Sequence, residues 1–223
     1  PGISSDFARD DLNGVRTKVA KSVKVTMFIA IPAAAGLGVL CKPCMQLIFP
    51  QKASLQISAM MLAILAVTIV LYSLSTLTQA VLQSIGKMNT PIINALIALV
   101  IHAVIMVVGM LYLPAQYSLY CYAGTSVLYA FLLCVLNGIS VRKHLKYQQE
   151  VDRTFLRPIL CSIAMGAVAF GVYYGLHQLL PVNILCLAVA IGIGCMVYFV
   201  LVIRWNAITE EEMKGLPKGN LLI

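Results

Sequence analysis

The chain has 223 residues, of which 61% are hydrophobic and only 11% are charged, with a formal net charge of +8. Soluble domains carry about 25% charged residues, so this composition excludes a soluble enzyme, a disordered chain and a disulfide scaffold. The positive net charge does not indicate nucleic-acid binding, because the basic residues lie between long apolar segments.

Six apolar segments are long enough for helices that cross the hydrocarbon core, which takes about 20 residues. No Asp, Glu, Lys or Arg occurs from Met88 to Val141 or from Pro158 to Ile203. The sequence therefore predicts an all-α polytopic membrane protein, with a six-helix transmembrane lobe over residues 25–204. The predicted spans are approximately 25–47, 56–84, 91–113, 119–141, 158–180 and 182–203.

The segments at either end of the lobe are predicted to be cytoplasmic. Residues 1–24 are predicted to form an approach helix along the inner membrane surface, since Val15, Val19 and Val23 recur beside basic residues. Thr209 and Glu212 form a capping-box pattern in a short cytoplasmic tail, residues 205–223. Because the first residue is not Met, the chain is expected to begin within a longer protein.

The basic residues predict the orientation of the lobe. Of the 16 Lys and Arg residues, 14 lie in the N-terminal segment, the loops after the second and fourth spans, and the tail. The alternate loops carry only Lys42 and Lys52. Under the positive-inside rule, this asymmetry places both termini in the cytoplasm.

In the first span, Pro32 is followed by Gly36, and the pair predicts a kink or hinge because proline removes a backbone donor.

Polar residues recur along single faces of the second, third and fourth spans. Such residues either line a hydrated path or form hydrogen bonds between packed helices. Both alternatives stay open from the sequence. His102 is the only ionisable residue at the centre of its span and is the leading candidate for the path. The full set of transport-pathway candidates is His102, Gln79, Gln83, Asn94, Tyr129 and Asn137.

Small residues recur every four positions in the last two spans. They predict either close packing of these two helices or a groove for an apolar ligand. The residues are Ala167, Gly171, Gly175, Ala188 and Gly192. The sequence contains no catalytic, nucleotide-binding or metal-binding motif, so we predict neither an enzyme nor a bound cofactor or metal.

Three segments resemble the polysaccharide-biosynthesis flippases. Ile31 to Leu40 resembles the first helix of their C-terminal lobe, and Leu74 to Asn94 is similar to the next helix, its inner turn and the following helix start. The tail from Ile208 to Gly219 is similar to the stage V sporulation protein B branch. This branch belongs with the lipid II flippases in the multidrug/oligosaccharidyl-lipid/polysaccharide exporter superfamily.

The resemblance implies a fourteen-helix transporter with two lobes, of which this chain would supply the last six helices. It implies a bacterial plasma-membrane flippase that moves undecaprenyl-linked saccharides by alternating access, for peptidoglycan, spore cortex or polysaccharide synthesis. The expected partners are this lipid-linked substrate, the bilayer, an unknown coupling ion and the N-terminal lobe of the same protein, with no nucleic acid. In this family the last two helices form a groove for the lipid tail. The alternatives are a cation-coupled multidrug antiporter and a non-transporting scaffold for envelope synthesis.

Overall fold

The computed structural model describes residues 2–49, 54–114, 117–146, 149–179 and 182–205. Regular structure in these residues is helical throughout. The helices are α1 (Gly2–Ala8), α2 (Leu12–Val39), α3 (Cys41–Ile48), α4 (Leu55–Ser84), α5 (Asn89–Tyr112), α6 (Ser118–Leu145), a π-helical turn (Asp152–Leu156), α7 (Arg157–Leu179) and α8 (Asn183–Arg204). The predicted capping box at Thr209 and the loop containing Lys52 lie outside the described residues.

Six of these helices are long and apolar enough to cross a membrane. They are α2, α4, α5, α6, α8 and the helix formed by the π turn with α7. The predicted all-α membrane class is confirmed, and the bounds of the second span, predicted at 56–84, agree with Leu55–Ser84. The length of apolar sequence was sufficient for this prediction because a helix satisfies its own backbone groups inside lipid.

The beginning of the chain differs from the expected arrangement. Instead of one approach helix over residues 1–24 and a span over 25–47, α2 continues from Leu12 through to Val39. Val15, Val19 and Val23 are buried, so this stripe packs in the protein interior. The helix then breaks at Leu40, because Pro43 has no N–H for the carbonyl of Val39 and its ring would clash with that group.

The chain divides into two compact units. Unit 1 contains residues 1–26 and 67–149, and unit 2 contains residues 27–66 and 150–223, so α2 and α4 contribute to both. The helices that pack in unit 1 include α5 and α6, and those in unit 2 include α3, α7 and α8.

In unit 1, a tight turn connects α4 to α5. Gly86 has a positive φ of 77°. The amide of Lys87 donates to the carbonyl of Leu82 at 2.9 Å, and the amide of Gly86 donates to the carbonyl of Gln83 at 3.1 Å. This pattern is a Schellman motif, in which a left-handed glycine ends a helix without steric cost. The turn lets α5 begin at Asn89, five residues after α4 ends at Ser84.

Arginine side chains occupy two helix C-termini. In unit 1, the Nε of Arg16 donates to the carbonyl of Leu145, the last residue of α6, at 2.7 Å. In unit 2, Arg157 donates to the carbonyl of Trp205, which follows α8, at 2.8 Å. The last carbonyls of a helix have no partner within it, and a cation there also complements the helix dipole.

A proline in α2 is compensated from α8 in unit 2. Pro32 lies inside α2, so the carbonyl of Phe28, four residues earlier, loses its usual helical donor. The hydroxyl of Tyr198 in α8 donates to this carbonyl at 2.8 Å in a buried site. A side chain of the last helix therefore satisfies the backbone group that proline leaves open in α2.

Candidate functional site

A buried hydrogen-bond network connects α4, α5 and α6 in unit 1. The side-chain nitrogen of Asn94 donates to Asn137 Oδ1 at 2.9 Å and to Ser140 Oγ at 3.1 Å. Asn137 in turn donates to Ser75 Oγ at 3.2 Å, and its side chain has no exposed surface. Two of the six predicted pathway residues are thus brought together, but their side-chain amides form hydrogen bonds between helices. This geometry favours packing for Asn94 and Asn137.

His102 lies on the same helix as Asn94 but has different surroundings. Its Nδ1 is 2.9 Å from the carbonyl oxygen of Thr125 in α6. Because a carbonyl can only accept, Nδ1 carries the proton of this hydrogen bond. The other ring nitrogen, Nε2, is then left to bind a different partner. The ring is half-buried rather than enclosed.

An aromatic ring of α6 contacts His102, and a ring of α4 lies beyond it. The ring of Tyr129 in α6 lies 5.5 Å from the imidazole, and the ring of Tyr72 in α4 lies 6.4 Å from Tyr129, measured between centroids. Tyr122 lies two helical turns before Tyr129 and is half exposed. We call Tyr72, His102, Tyr122 and Tyr129 the tyrosine–histidine face.

The depth of this face matters for its chemistry. Tyr72, His102 and Tyr129 each lie at least ten residues from either end of their helices, or about 15 Å at 1.5 Å per residue. Tyr72 is nevertheless 39% exposed. Polar side chains at the centre of a bilayer are costly when they face lipid. This face is therefore suited to a polar or hydrated surrounding.

The two remaining pathway candidates lie further along α4. Gln79 is half-buried and Gln83 is exposed. They continue the stripe of Tyr72 towards the C-terminus of α4, with Gln79 about two helical turns after Tyr72 and Gln83 about one turn after Gln79. The predicted stripe is therefore divided into a buried part, which ties helices together, and an accessible part.

In unit 2, α2, α7 and α8 enclose an apolar groove of about 390 Å³. Pro32 and Gly36, the predicted hinge residues, line it together with Met165, Ala169 and Phe199. Its volume falls in the range of about 300–1,000 Å³ that is usual for ligand pockets. Whether Pro32 and Gly36 also act as a hinge stays a prediction.

The small residues of α7 and α8 correct one part of the sequence interpretation. The two helices do pack together, but through Gly194, whose Cβ position is 3.3 Å from Ala169 Cβ. The five predicted positions lie on the adjacent face and are exposed: Ala167, Gly171, Gly175, Ala188 and Gly192. A Cβ atom added at Gly171, Gly175 or Gly192 would have no described atom from outside its own helix within 4 Å. The groove alternative stays a prediction for them.

Sequence reasoning missed several residues of unit 2. The wall that α2 contributes to the groove, including Leu37 and Leu40, was not predicted. A hydrogen-bond bridge through Asn183 was not predicted either. The hydroxyl of Tyr173 donates to Asn183 Oδ1 at 2.8 Å, and the side-chain nitrogen of Asn183 donates to the carbonyl of Pro43 at 3.1 Å. The cluster Pro32, Gly36 and Gly38 is the signal that was available, since small residues allow close approach.

A family model and a relative of the same description both match most of the chain. The family model for the lipid II flippase MurJ matches residues 1–204. The lipid II flippase MurJ of Bacillus subtilis (strain 168) is 23% identical over 205 residues, which cover 86% of this chain and 36% of that protein. The chain therefore spans about a third of the length of this relative. No solved structure matches the chain.

Proposed function

The chain belongs to the lipid II flippase MurJ family, and on this premise we propose that it is the C-terminal part of a flippase that translocates undecaprenyl-linked saccharides. It is a multi-pass protein of the bacterial plasma membrane. The observation that carries the proposal is the family match, which includes all six long apolar helices. In the proposed whole transporter, fourteen helices in two lobes move the precursor by alternating access.

Two surfaces of the chain support a substrate with both an apolar and a polar part. The groove of unit 2 offers an uncharged, apolar lining that suits a prenyl tail. The exposed small residues of α7 and α8, such as Gly171 and Gly192, remain candidates for contact with the same tail. In unit 1, the tyrosine–histidine face offers polar groups at membrane depth, and Gln83 offers an exposed amide at the C-terminal end of α4.

The finer assignment concerns the branch of the superfamily. The comparisons match lipid II flippases, so we propose a peptidoglycan precursor as the substrate. Membership of the stage V sporulation protein B branch, and a role in the spore cortex, stay predictions from the tail motif. Deleting the gene in a sporulating host and measuring cortex synthesis separately from vegetative growth would test this branch.

We further propose that both termini of the chain are cytoplasmic. The distribution of 14 of the 16 basic residues supports this orientation. The structure adds that Arg16 and Arg157 bind the C-terminal carbonyls of α6 and α8, two helix ends that this orientation assigns to the cytoplasmic side.

Complementation by the full-length protein tests the proposed function. A bacterium whose own lipid II flippase can be depleted should survive when the full-length protein is expressed, and precursor accessible outside the membrane should be restored. A multidrug antiporter would confer resistance to toxic cations without restoring precursor export. A scaffold would restore neither. Normal membrane abundance without restored export would contradict the proposal.

A further inference from the structure

The tyrosine–histidine face presents hydrogen-bonding groups that the fold does not use. His102 directs Nδ1 to the carbonyl of Thr125, and Nε2 is the ring nitrogen that is left to hydrogen-bond another partner. No hydrogen bond among the described residues engages the hydroxyls of Tyr72 or Tyr129, although both rings take part in aromatic contacts. The face therefore combines ring surfaces with one imidazole nitrogen and free phenol groups.

The face is also uncharged. Residues 88–141, which include all of α5 and most of α6, contain no Lys, Arg, Asp or Glu, and neither does α4. Proteins bind an anionic diphosphate through Arg, Lys, a metal ion or a helix N-terminus, and the described residues supply none of these at Tyr72, His102 and Tyr129, which lie in the middle of their helices. An apolar chain does not suit it either, because the exposed hydroxyls would lose their hydration without gaining partners.

A sugar ring fits the face better than the other two parts of a lipid-linked saccharide. Its C–H groups pack against aromatic rings, and its hydroxyls form neutral hydrogen bonds in both directions. Tyrosine supplies both functions on one rigid side chain, with an apolar body and a polar tip. The rings of Tyr72 and Tyr129 lie 6.4 Å apart and tilted, so they form a curved surface rather than a closed stack.

We propose that the tyrosine–histidine face binds the saccharide part of the lipid-linked substrate, with Tyr72 and Tyr129 as the main ring contacts and His102 Nε2 hydrogen-bonded to a sugar hydroxyl. This inference rests on the proposed function and adds which part of the substrate this face recognises. The tail and the diphosphate are bound elsewhere.

Binding to two probes tests the proposal on the full-length protein in lipid nanodiscs. The first probe is undecaprenyl-diphospho-N-acetylglucosamine, which carries a sugar but no peptide. The second is undecaprenyl diphosphate, which has the same tail and diphosphate without the sugar. Tyr72→Leu and Tyr129→Leu should each weaken binding of the first probe by about three- to tenfold and leave the second unchanged. Tyr112→Leu is the matched control, because this tyrosine is 83% exposed at the end of α5 and should alter neither.

The outcomes separate failure of this inference from failure of the proposed function. If the wild type binds neither probe and exports no precursor, the proposed function is wrong. If the wild type binds both probes and the two variants do so with unchanged affinity, the saccharide assignment is wrong. It is also wrong if the variants lose affinity for both probes equally, since the face would then not distinguish the sugar. It is wrong as well if the variants lose only thermal stability, since the face would then be covered by other helices of the protein. Tyr129→Phe keeps the ring and should retain most of the binding of the first probe, which guards against a misfolded Tyr129→Leu.

Discussion

At the scale of single residues, the carbonyl of Phe28 connects Pro32 to Tyr198. Removing the hydroxyl with Tyr198→Phe leaves a buried acceptor without a donor, which costs about 1–3 kcal/mol. We expect a lower melting temperature for the full-length protein in detergent. Tyr112→Phe should have no effect, because Tyr112 is exposed.

A double-mutant cycle makes this prediction specific to the proline. Pro32→Ala supplies a backbone N–H for the carbonyl of Phe28, so the hydroxyl of Tyr198 is no longer the donor that the carbonyl requires. The loss caused by Tyr198→Phe should therefore shrink in the Pro32→Ala background. Equal losses in both backgrounds would show that Tyr198 stabilises the fold by some other contact.

The division of the polar stripe gives a second prediction for single residues. Asn137→Leu removes a fully buried amide that bonds to Asn94 and Ser75, and hydrogen bonds between membrane helices average about 0.6 kcal/mol each. It should lower the melting temperature and the membrane abundance. Gln83→Leu, made at an exposed position of α4, should lower neither. Export per folded molecule is then the measurement that reports a transport role, and a loss of export by Asn137→Leu at normal stability would contradict the packing assignment.

At the scale of elements, the contact between α7 and α8 depends on the absence of a side chain at Gly194. A Cβ there would already lie 3.3 Å from Ala169 Cβ, so Gly194→Leu should separate the helices and cost about 1–3 kcal/mol. Gly192→Leu is the matched control, because no described atom outside the helix lies within 4 Å of its Cβ position. Both changes raise helix propensity equally. Similar melting temperatures for the two variants would contradict the packing face described here.

The helices themselves were predictable, but their faces and joins were only partly so. Six apolar lengths predicted six spans because a bilayer imposes a minimum length. The basic residues Arg16, Lys18 and Lys21 favoured a separate surface helix, whereas burial of Val15 and Val19 makes α2 continuous. Backbone continuity depends on what the opposite face of the helix packs against, and the sequence pattern does not contain that information.

The same limit applies to the candidate site. Helix α7 has small residues on two adjacent faces, one with Gly166 and Ala169 and one with Gly171 and Gly175. Periodicity predicts both stripes equally, and only the rotation of the helix against its neighbours selects one. Likewise, the stripe with Asn137 was predictable, but the distinction between a bonded amide and an accessible one depends on which partner lies opposite.

At the scale of the whole molecule, the arrangement of charges predicts how the chain lies in the membrane. After replacement of the seven native Cys residues, Gln178→Cys should react with a membrane-impermeant thiol reagent in intact cells. Glu150→Cys should react only after the membrane is permeabilised, since it lies in the basic loop between α6 and α7. Labelling of Glu150→Cys in intact cells would overturn the proposed orientation.

A related prediction concerns the extent of the chain. The matched part of this chain covers 36% of the relative from Bacillus subtilis. In the tyrosine–histidine face, Tyr72 and Tyr122 are exposed and His102 and Tyr129 are half-buried. We expect that residues 1–223 alone do not restore precursor export to cells depleted of their flippase, because polar groups at membrane depth need a partner surface or an enclosed polar cavity. Extending the expressed gene upstream should restore export. Full export from residues 1–223 alone, at matched abundance, would refute the two-lobe proposal.

The hydrogen bond between Tyr198 and Phe28 has a consequence for biosynthesis. The two residues are 170 positions apart, and chains are made at about 5–20 residues per second. The ribosome therefore needs about 10–30 s after Phe28 before it adds Tyr198. Throughout that interval the nascent helix with Pro32 has an open carbonyl and no donor from α8. The carbonyl of Phe28 therefore gains its donor only after Tyr198 has been added, so this bond between α2 and α8 forms late in the biosynthesis of the chain.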